Sequence, residues 1–448
     1  MTSQSKVKIA IIGAGPVGSL CACFMAEYGY DVTIFESRTD IRLMQTTTGR
    51  SINLALSERG IKALQFVGLD NILIEELTEP MHGRMIHSTD GHNYSIPYDI
   101  FKKKCLYSIS RKELNGVLLT KLEKYPNVKL NFSYKLVDID FSSKKLTFQT
   151  VENQQVIILP DIVFGCDGAH SIVRQHMIRL PMFNYSQSYI NHGYFEINLP
   201  NTKENVLTPG HLHIWPRGTF MLIALPNKDS FWTCTLFMPM DKFPLILESG
   251  KEEILSFFNK HFKDFVNLID PENLIRQVIS GKARTLISIK CNPYHVNDSF
   301  LLMGDAAHAI VPFYGQGMNA GFEDCTILNQ LLNEYDHDLK TVLRMFSLRR
   351  IEDAEAISDL ALYNYIEMRD LVTRKSFLWR KKIDKILYKW FPQKWIPLHS
   401  LVSFTTIGYK QCKLINQWQD QVIFRMLILF SLFIGITLFI VLTSIILK

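Results

Sequence analysis

The sequence predicts an α/β protein. It has a doubly wound, Rossmann-like domain assembled from distant segments, an inserted antiparallel-sheet domain, a helical C-terminal region and a single transmembrane helix. Three observations carry that prediction. Val7–Ile12 is an unbroken apolar strand running into a glycine turn, Ser19–Tyr28 has helix-forming composition, and Asp31–Glu36 reads as the next parallel strand, so the chain opens with a βαβ unit. Residues 189–239 alternate apolar and polar side chains, as in His211–Trp215 and Thr233–Phe237, the pattern of antiparallel strands with one packed face. Met426–Leu447 is a run of 22 residues without a single charge.

The first unit continues in two further apolar strands ending in small residues, Ile162–Gly165 and Phe300–Gly304. Their distance from the first strand implies one sheet built from remote parts of the chain, over residues 1–185 and 290–335. The alternating segment sets the inserted domain at 186–289. After Gly321 the composition turns helical, and 336–421 forms the C-terminal helical region. A chain of 448 residues exceeds what one core usually serves, which agrees with several packed units. The uncharged run makes a helix of about 33 Å, enough for the roughly 30 Å hydrocarbon core, with Arg425 and Lys448 at its ends. It reads as a tail anchor at 426–447, inserted after translation, with the bulk of the protein facing the cytosol.

Composition excludes other classes. The net charge of +6 is spread along the chain, and the short runs Lys102–Lys104 and Arg380–Lys382 read as solvated surface rather than a nucleic-acid arm. The eight cysteines include no Cys-x-x-Cys, so reduced thiols are expected and no metal site. Met1–Ser5 is short and polar and leads straight into a strand, which predicts no signal or transit peptide.

Gly13-Ala14-Gly15-Pro16-Val17-Gly18 fits G-x-G-x-x-G between a strand and a helix, where Gly13, Gly15 and Gly18 permit a tight turn and close approach of backbone to a pyrophosphate. Glu36 ends the second strand about 20 residues on, where a carboxylate accepts a hydrogen bond from an adenosine ribose lacking a 2′-phosphate. Two more loops follow apolar strands: Gly165–Ser171, containing Asp167, and Gly304–His308, containing Asp305. His308 reads as a loop-packing residue rather than a general base.

These three motifs, in this order, resemble those of the flavoprotein aromatic hydroxylases. The similarity extends to Arg50–Ala55, to Pro216 within Ile214–Arg217, and to Pro312–Asp324, and it runs from about Val7 to the final apolar segment. It implies FAD as cofactor, with contacts at Val17, Phe35, Glu36, Ser37, Arg38, Ala55, Arg111, Leu136, Asp167, Asp305, Gly317, Met318 and Asn319. Asp305 would meet the ribityl chain, and Gly315–Asn319 would place a helix start beside the flavin. By the same resemblance Arg84 and Tyr98 hold a substrate carboxylate and Asn364 is a third substrate contact. A guanidinium suits that task because it grips a carboxylate through two parallel hydrogen bonds. His399 departs from the pattern, standing where the family has a tyrosine.

The implied reaction is hydroxylation of L-kynurenine to 3-hydroxykynurenine with NADPH and O₂, a step of tryptophan catabolism towards pyridine nucleotides, at the mitochondrial outer membrane. The flavin carries the chemistry, so no catalytic side chain and no metal are expected. NADPH comes from the resemblance alone, since no second glycine loop is present for it. Two alternatives stay open: a flavin hydroxylase or epoxidase of a lipophilic substrate, and a tail-anchored dinucleotide-binding redox sensor without turnover. The tryptophan-rich stretch from about Leu378 to Gln421 either packs over the active site or lies on the membrane surface.

Overall fold

The computed structural model describes residues 6–44, 53–99, 101–200, 207–228 and 231–446. Met1–Ser5, the motif residues Arg50, Ser51 and Ile52, and the terminal Leu447 and Lys448 lie outside the described residues.

Six strands form the central sheet, in the order His295–Val296, Phe300–Leu302, Ile162–Gly165, Lys8–Ile12, Asp31–Glu36, Val128–Phe132. All pairs are parallel except the edge strand His295–Val296. Ile9 registers with Ile162, and Val163 with Phe300, so these two pairs of neighbouring strands are more than a hundred residues apart in the chain. Parallel strands buried on both faces need unbroken apolar runs, and Ile9–Ile12, Ile162–Phe164 and Phe300–Leu302 supply them. Helices Pro16–Glu27, Arg111–Leu122 and Gly317–Glu334 share this core. Each fully buried Leu, Ile or Phe contributes about 1.5–3 kcal/mol. A three-stranded antiparallel sheet, Lys135–Asp140, Lys145–Gln149 and Gln155–Ile158, sits beside it and sends Phe148 to stack on Phe35 at 4.2 Å.

The second large sheet has seven strands, in the order Arg284–Asn292, Asn184–Pro200, Phe231–Pro239, Met221–Pro226, His211–Pro216, Gly83–His87, Asn93–Pro97. The alternating segment pairs antiparallel throughout. Two strands come from the N-terminal part of the chain, however, and Gly83–His87 joins His211–Pro216 in parallel. A five-residue strand paired across more than a hundred residues leaves no local signal, so sequence boundaries drawn at 186 and 289 enclose only part of this sheet. Its two faces differ. Trp215, Leu236 and Cys234 pack against Phe258, Phe262 and Phe265 of the helices at 251–266. Ile86, Ile214, Met221 and Phe237 face the C-terminal helices, and the alternation of strand side chains puts Arg84 on that same side. A small sheet of Asn53–Leu56, Leu106–Ser110 and Thr78–Met81 lies between the two cores.

The C-terminal region consists of helices Leu339–Arg369, Lys375–Trp390, Leu398–Phe404 and Tyr409–Ile446. The last runs unbroken for 38 residues, about 57 Å, across the boundary at 421–426. Its first turns bury Tyr409, Cys412 and Gln419 in the body, and beyond Met426 it is exposed and, by length and composition, long and apolar enough to cross a membrane. The eight cysteines are free, and all but Cys105 are buried.

Candidate active site

The first glycines are required by shape. Gly13 has φ +101°, and a Cβ on it would stand 2.5 Å from the Cys166 carbonyl oxygen; one on Gly18 would stand 2.0 Å from the Gly13 carbonyl. Gly15 faces open space, and the helix Pro16–Glu27 begins there with its N–H groups unfilled by any side-chain cap. Two residues that the motif does not contain hold this turn: Asn115 donates from Nδ2 to the Ala14 carbonyl at 2.9 Å, and Ser19 from Oγ to the same oxygen at 3.2 Å. Asn115 lies a hundred residues away on another helix, and nothing in the local sequence marks it.

Glu36, almost fully buried, is fixed at the mouth of a cleft of about 860 Å³. Its carboxylate accepts from the Ala14 N–H at 3.0 Å, and from the Arg38 N–H and Nε at 3.0 Å each. Ser37 Oγ adds a longer bond of 3.3 Å. Gly15, Arg38 and Arg111 also line the cleft. Phe35 and Leu136 do not, since both side chains are packed in the main core and Phe35 reaches the turn only through its carbonyl, which accepts from the Gly13 N–H at 2.8 Å.

The other two loops close on the same turn. Asp167 Oδ2 accepts from the Ile172 and Val173 N–H groups at 2.6 and 3.2 Å, while its Oδ1 is buried without a partner, and burial pushes this carboxyl above the usual range. Arg174 ties this loop to the next, donating to the carbonyls of Ala306 at 2.7 Å and Ala169 at 2.6 Å. Gly304, at φ +59°, holds the start of the short helix Asp305–His308 against Val17, whose methyls also fill the space at Gly321. The Asp305 carboxylate has no hydrogen-bond or ion-pair partner among the described residues. His308 is structural: it and the Gly304 N–H share Asp324 Oδ2 at 2.8 Å each, and Arg350 binds the other oxygen at 2.6 Å.

At the turn that follows, Gly315 takes the left-handed conformation, φ +64°, and a Cβ there would sit 3.0 Å from that of Ala55. Gly317 opens the helix Gly317–Glu334 into free space with its neighbour Met318 half-buried. Asn319 spends its side chain on the protein: Oδ1 accepts from the Ser57 N–H at 2.9 Å, and Nδ2 donates to the carbonyls of Ala55 and Gly315 at 2.7 Å each. A ligand meets only its backbone. A glycine-cradled helix start, a buried carboxylate at the end of the second strand, a buried oxygen without a partner, an unengaged carboxylate and a second open helix N-terminus together fit FAD.

Beside the small sheet lies a chamber of about 90 Å³, walled by Met81, Leu106, Leu212, Met221, Phe237 and Met368 and bordered by Ala55 of that sheet and by Gly315. Arg84, Tyr98 and Asn364 all line it. Arg84 is 5% exposed and donates from Nη1 to Glu367 at 2.8 Å and from Nη2 to Asn364 Oδ1 at 3.2 Å, while Nε is buried with no partner. Its guanidinium stands 5.9 Å from the Tyr98 ring centre. Asn364 also donates to the Phe313 carbonyl at 2.7 Å, so it holds Arg84 in place as well as lining the wall. His399 faces the chamber too, stacked on Tyr98 at 4.6 Å with its Nδ1 buried and unpartnered.

Glu367 was not legible as a site residue, although it lies one helical turn after Asn364. Burial raises its carboxyl pKa, but Lys381 at 3.6 Å and Arg84 more than offset this and hold it below the usual range. Burial, then Arg84 and Lys381, push His399 well below its ordinary value, so its ring is neutral at pH 7. Burial raises Tyr98 and Tyr314, against the pull of Arg84. Arg84 is the one charged side chain among the described residues lining the chamber, a setting for a carboxylate on an otherwise apolar substrate.

A family model described as FAD binding domain matches residues 6–338, which defines the class: a FAD-binding flavoprotein. Solved structures agree on the fold, at 17% identity and a TM-score of 0.66 with 2-methyl-3-hydroxypyridine-5-carboxylic acid oxygenase, covering 84% of this chain and 95% of that one. A probable FAD-dependent monooxygenase from Pseudomonas aeruginosa matches at 16% identity and 0.65, covering 82% and 97%. Within that class the chain belongs to the kynurenine 3-monooxygenase family. It is 48% identical over 422 residues to the kynurenine 3-monooxygenase of Anopheles gambiae, covering 94% of this chain and 86% of that one. It is 45% identical over 433 residues to that of Sus scrofa, covering 96% and 91%.

Proposed function

We propose that this protein hydroxylates L-kynurenine to 3-hydroxykynurenine, using FAD, NADPH and O₂, and that it works while anchored by its C-terminal helix in the mitochondrial outer membrane with the catalytic body in the cytosol. The observation that carries the substrate reading is Arg84: a buried guanidinium with an unused Nε, in an apolar chamber beside the flavin loop. Membership of the kynurenine 3-monooxygenase family supports the same substrate. The membrane reading is supported by the exposed apolar helix, and the organelle by the family resemblance.

FAD, when bound, supplies the redox chemistry, taking electrons from NADPH and activating O₂ for transfer of one oxygen atom to the ring. The chain's residues bind and orient. Gly13, Gly15, Glu36, Asp167 and Asp305 would hold the adenosine, pyrophosphate and ribityl parts, with Val17, Ser37, Arg38, Ala55 and Arg111 around them. Phe35 and Leu136 would contribute backbone only. The helix start at Gly317, Met318 and Asn319 favours negative charge on the adjoining ring, worth about 0.3–1 kcal/mol per interaction and more where buried. Arg84 and Tyr98, steadied by Asn364 and Glu367, take the amino-acid carboxylate and fix which ring carbon faces the flavin. The apolar walls keep water from the reacting atoms.

The test is NADPH oxidation by the detergent-solubilised full chain with and without L-kynurenine, with 3-hydroxykynurenine quantified in the same samples. Stimulated oxidation matched by product is the expected result. Stimulation that yields only hydrogen peroxide overturns the substrate assignment. Absence of stimulation favours a lipophilic substrate or a non-catalytic redox sensor.

A further inference from the structure

Helix Lys375–Trp390 carries a surface that the active site does not use. Trp379, Ile386 and Trp390 recur at spacings of seven and four, which puts them on one face, and they are 65%, 50% and 69% exposed. Lys382, Lys385 and Lys389 are exposed beside them, and Lys382 Nζ lies 5.0 Å from the Trp379 ring. Among the described residues none of the three has an ion-pair partner. The helix has one acidic residue, Asp384, and it is buried, accepting from Arg380 Nε at 3.2 Å and from Trp395 Nε1 at 3.0 Å. The exposed side is therefore aromatic and uniformly cationic. The opposite side turns Tyr388 onto Phe101 at 5.3 Å and Lys381 onto Glu367.

This helix is tied to the base of the apolar span. Arg380 pairs with Asp420 on the long helix, and Trp395 meets Trp418 at 5.8 Å. Asp420 precedes Met426, the first residue of the uncharged run, by about 9 Å of helix rise. A helix of about 10–12 Å diameter held at that level extends into the headgroup layer, which is roughly 5–7 Å deep on each side of the hydrocarbon. Tryptophan concentrates at that depth, and each lysine near an anionic surface contributes about 1 kcal/mol.

We propose that Lys375–Trp390 is an interfacial helix, its tryptophan and lysine face seated on the anionic surface of the same bilayer that receives Met426–Ile446. The inference rests on the anchored reading above. Membrane contact then bears on a helix whose inner side, through Lys381, touches the Glu367–Arg84 pair of the substrate chamber.

The test reconstitutes the full chain into phosphatidylcholine vesicles, with and without phosphatidylserine, whose acyl chains are brominated near the headgroup. Bromine quenches tryptophan emission on contact. The expected result is quenching in the native chain that is largely lost in the Trp379→Phe/Trp390→Phe variant. In phosphatidylserine vesicles the Lys382→Glu/Lys385→Glu/Lys389→Glu variant, checked for bound flavin, falls to the quenching seen in phosphatidylcholine alone. Protein that floats with the vesicles but is quenched equally with and without the two tryptophans overturns the interfacial helix and leaves the anchor standing. A stripe that instead cross-links to a second copy also overturns it. Protein that does not float overturns the anchor and the inference together.

Discussion

The cofactor cleft and the substrate chamber are built in different ways. The cleft opens on a backbone turn: the Gly13–Gly18 loop presents N–H groups whose positions depend on glycines, with Glu36, Arg38 and Arg111 along its walls. The chamber is made of side chains from residues 53–106, 194–237, 312–315, 364–368 and 399. A backbone turn tolerates no added atom where it is tight, as at Gly13 and Gly18. A side-chain site depends on partners, so its failure is graded.

The largest effect is expected at the cleft. Gly13→Ala adds a Cβ 2.5 Å from the Cys166 carbonyl at a residue with positive φ. Neither can relax without moving the first strand or the Asp167 loop, and the variant should purify without flavin, read from the visible absorbance after gel filtration, and without NADPH oxidation. A flavin-loaded Gly13→Ala protein would mean that the turn is less tight than its geometry.

Next comes Arg84→Ala, which removes the candidate carboxylate partner and leaves Glu367 paired with Lys381 alone. Each lost charge-assisted bond to the carboxylate is worth about 1.5–3 kcal/mol, so kcat/KM for L-kynurenine should fall by roughly a hundredfold while the flavin spectrum is unchanged. Loss of flavin together with turnover would erase the distinction between the two regions.

The smallest effect, about 1.5–3 kcal/mol of stability at neutral pH, is expected for Glu367→Gln, which replaces charge-assisted bonds to Arg84 and Lys381 with neutral ones. The folded protein holds the Glu367 carboxyl below its ordinary value. Its contribution is therefore present above the unfolded value of about 4.3 and is lost as pH falls through the depressed folded value. Thermal melts of the holoprotein should show native and Glu367→Gln curves converging in acid. A constant gap across that range would place the stabilisation elsewhere.

The same contrast explains what could be read in advance. Glycine turns between strands and helices are local, because a turn and the phosphate it cradles occupy a few consecutive residues, and the Gly13, Asp167 and Asp305 loops stand out without a partner in view. Glu367 and Asn115 do not. Each matters only because a residue of a distant element points at it, and a buried carboxylate on a helix looks like any surface glutamate until Arg84 faces it. His399 is similar: its type was visible, but its neutrality follows from burial and two nearby cations that only the packing assembles.

By itself, then, the sequence determined the βαβ opening, the three dinucleotide-type loops and the apolar tail, because strand periodicity, glycine turns and an uncharged run are properties of neighbouring residues. Tertiary structure decided the rest. It recruited Gly83–His87 in parallel into the distant sheet, gave Arg84 its anion, carried one helix without interruption from the body into the apolar run, and turned the tryptophans of Lys375–Trp390 outward. Those outcomes rest on pairings across hundreds of residues, whose energy appears only when the partners meet.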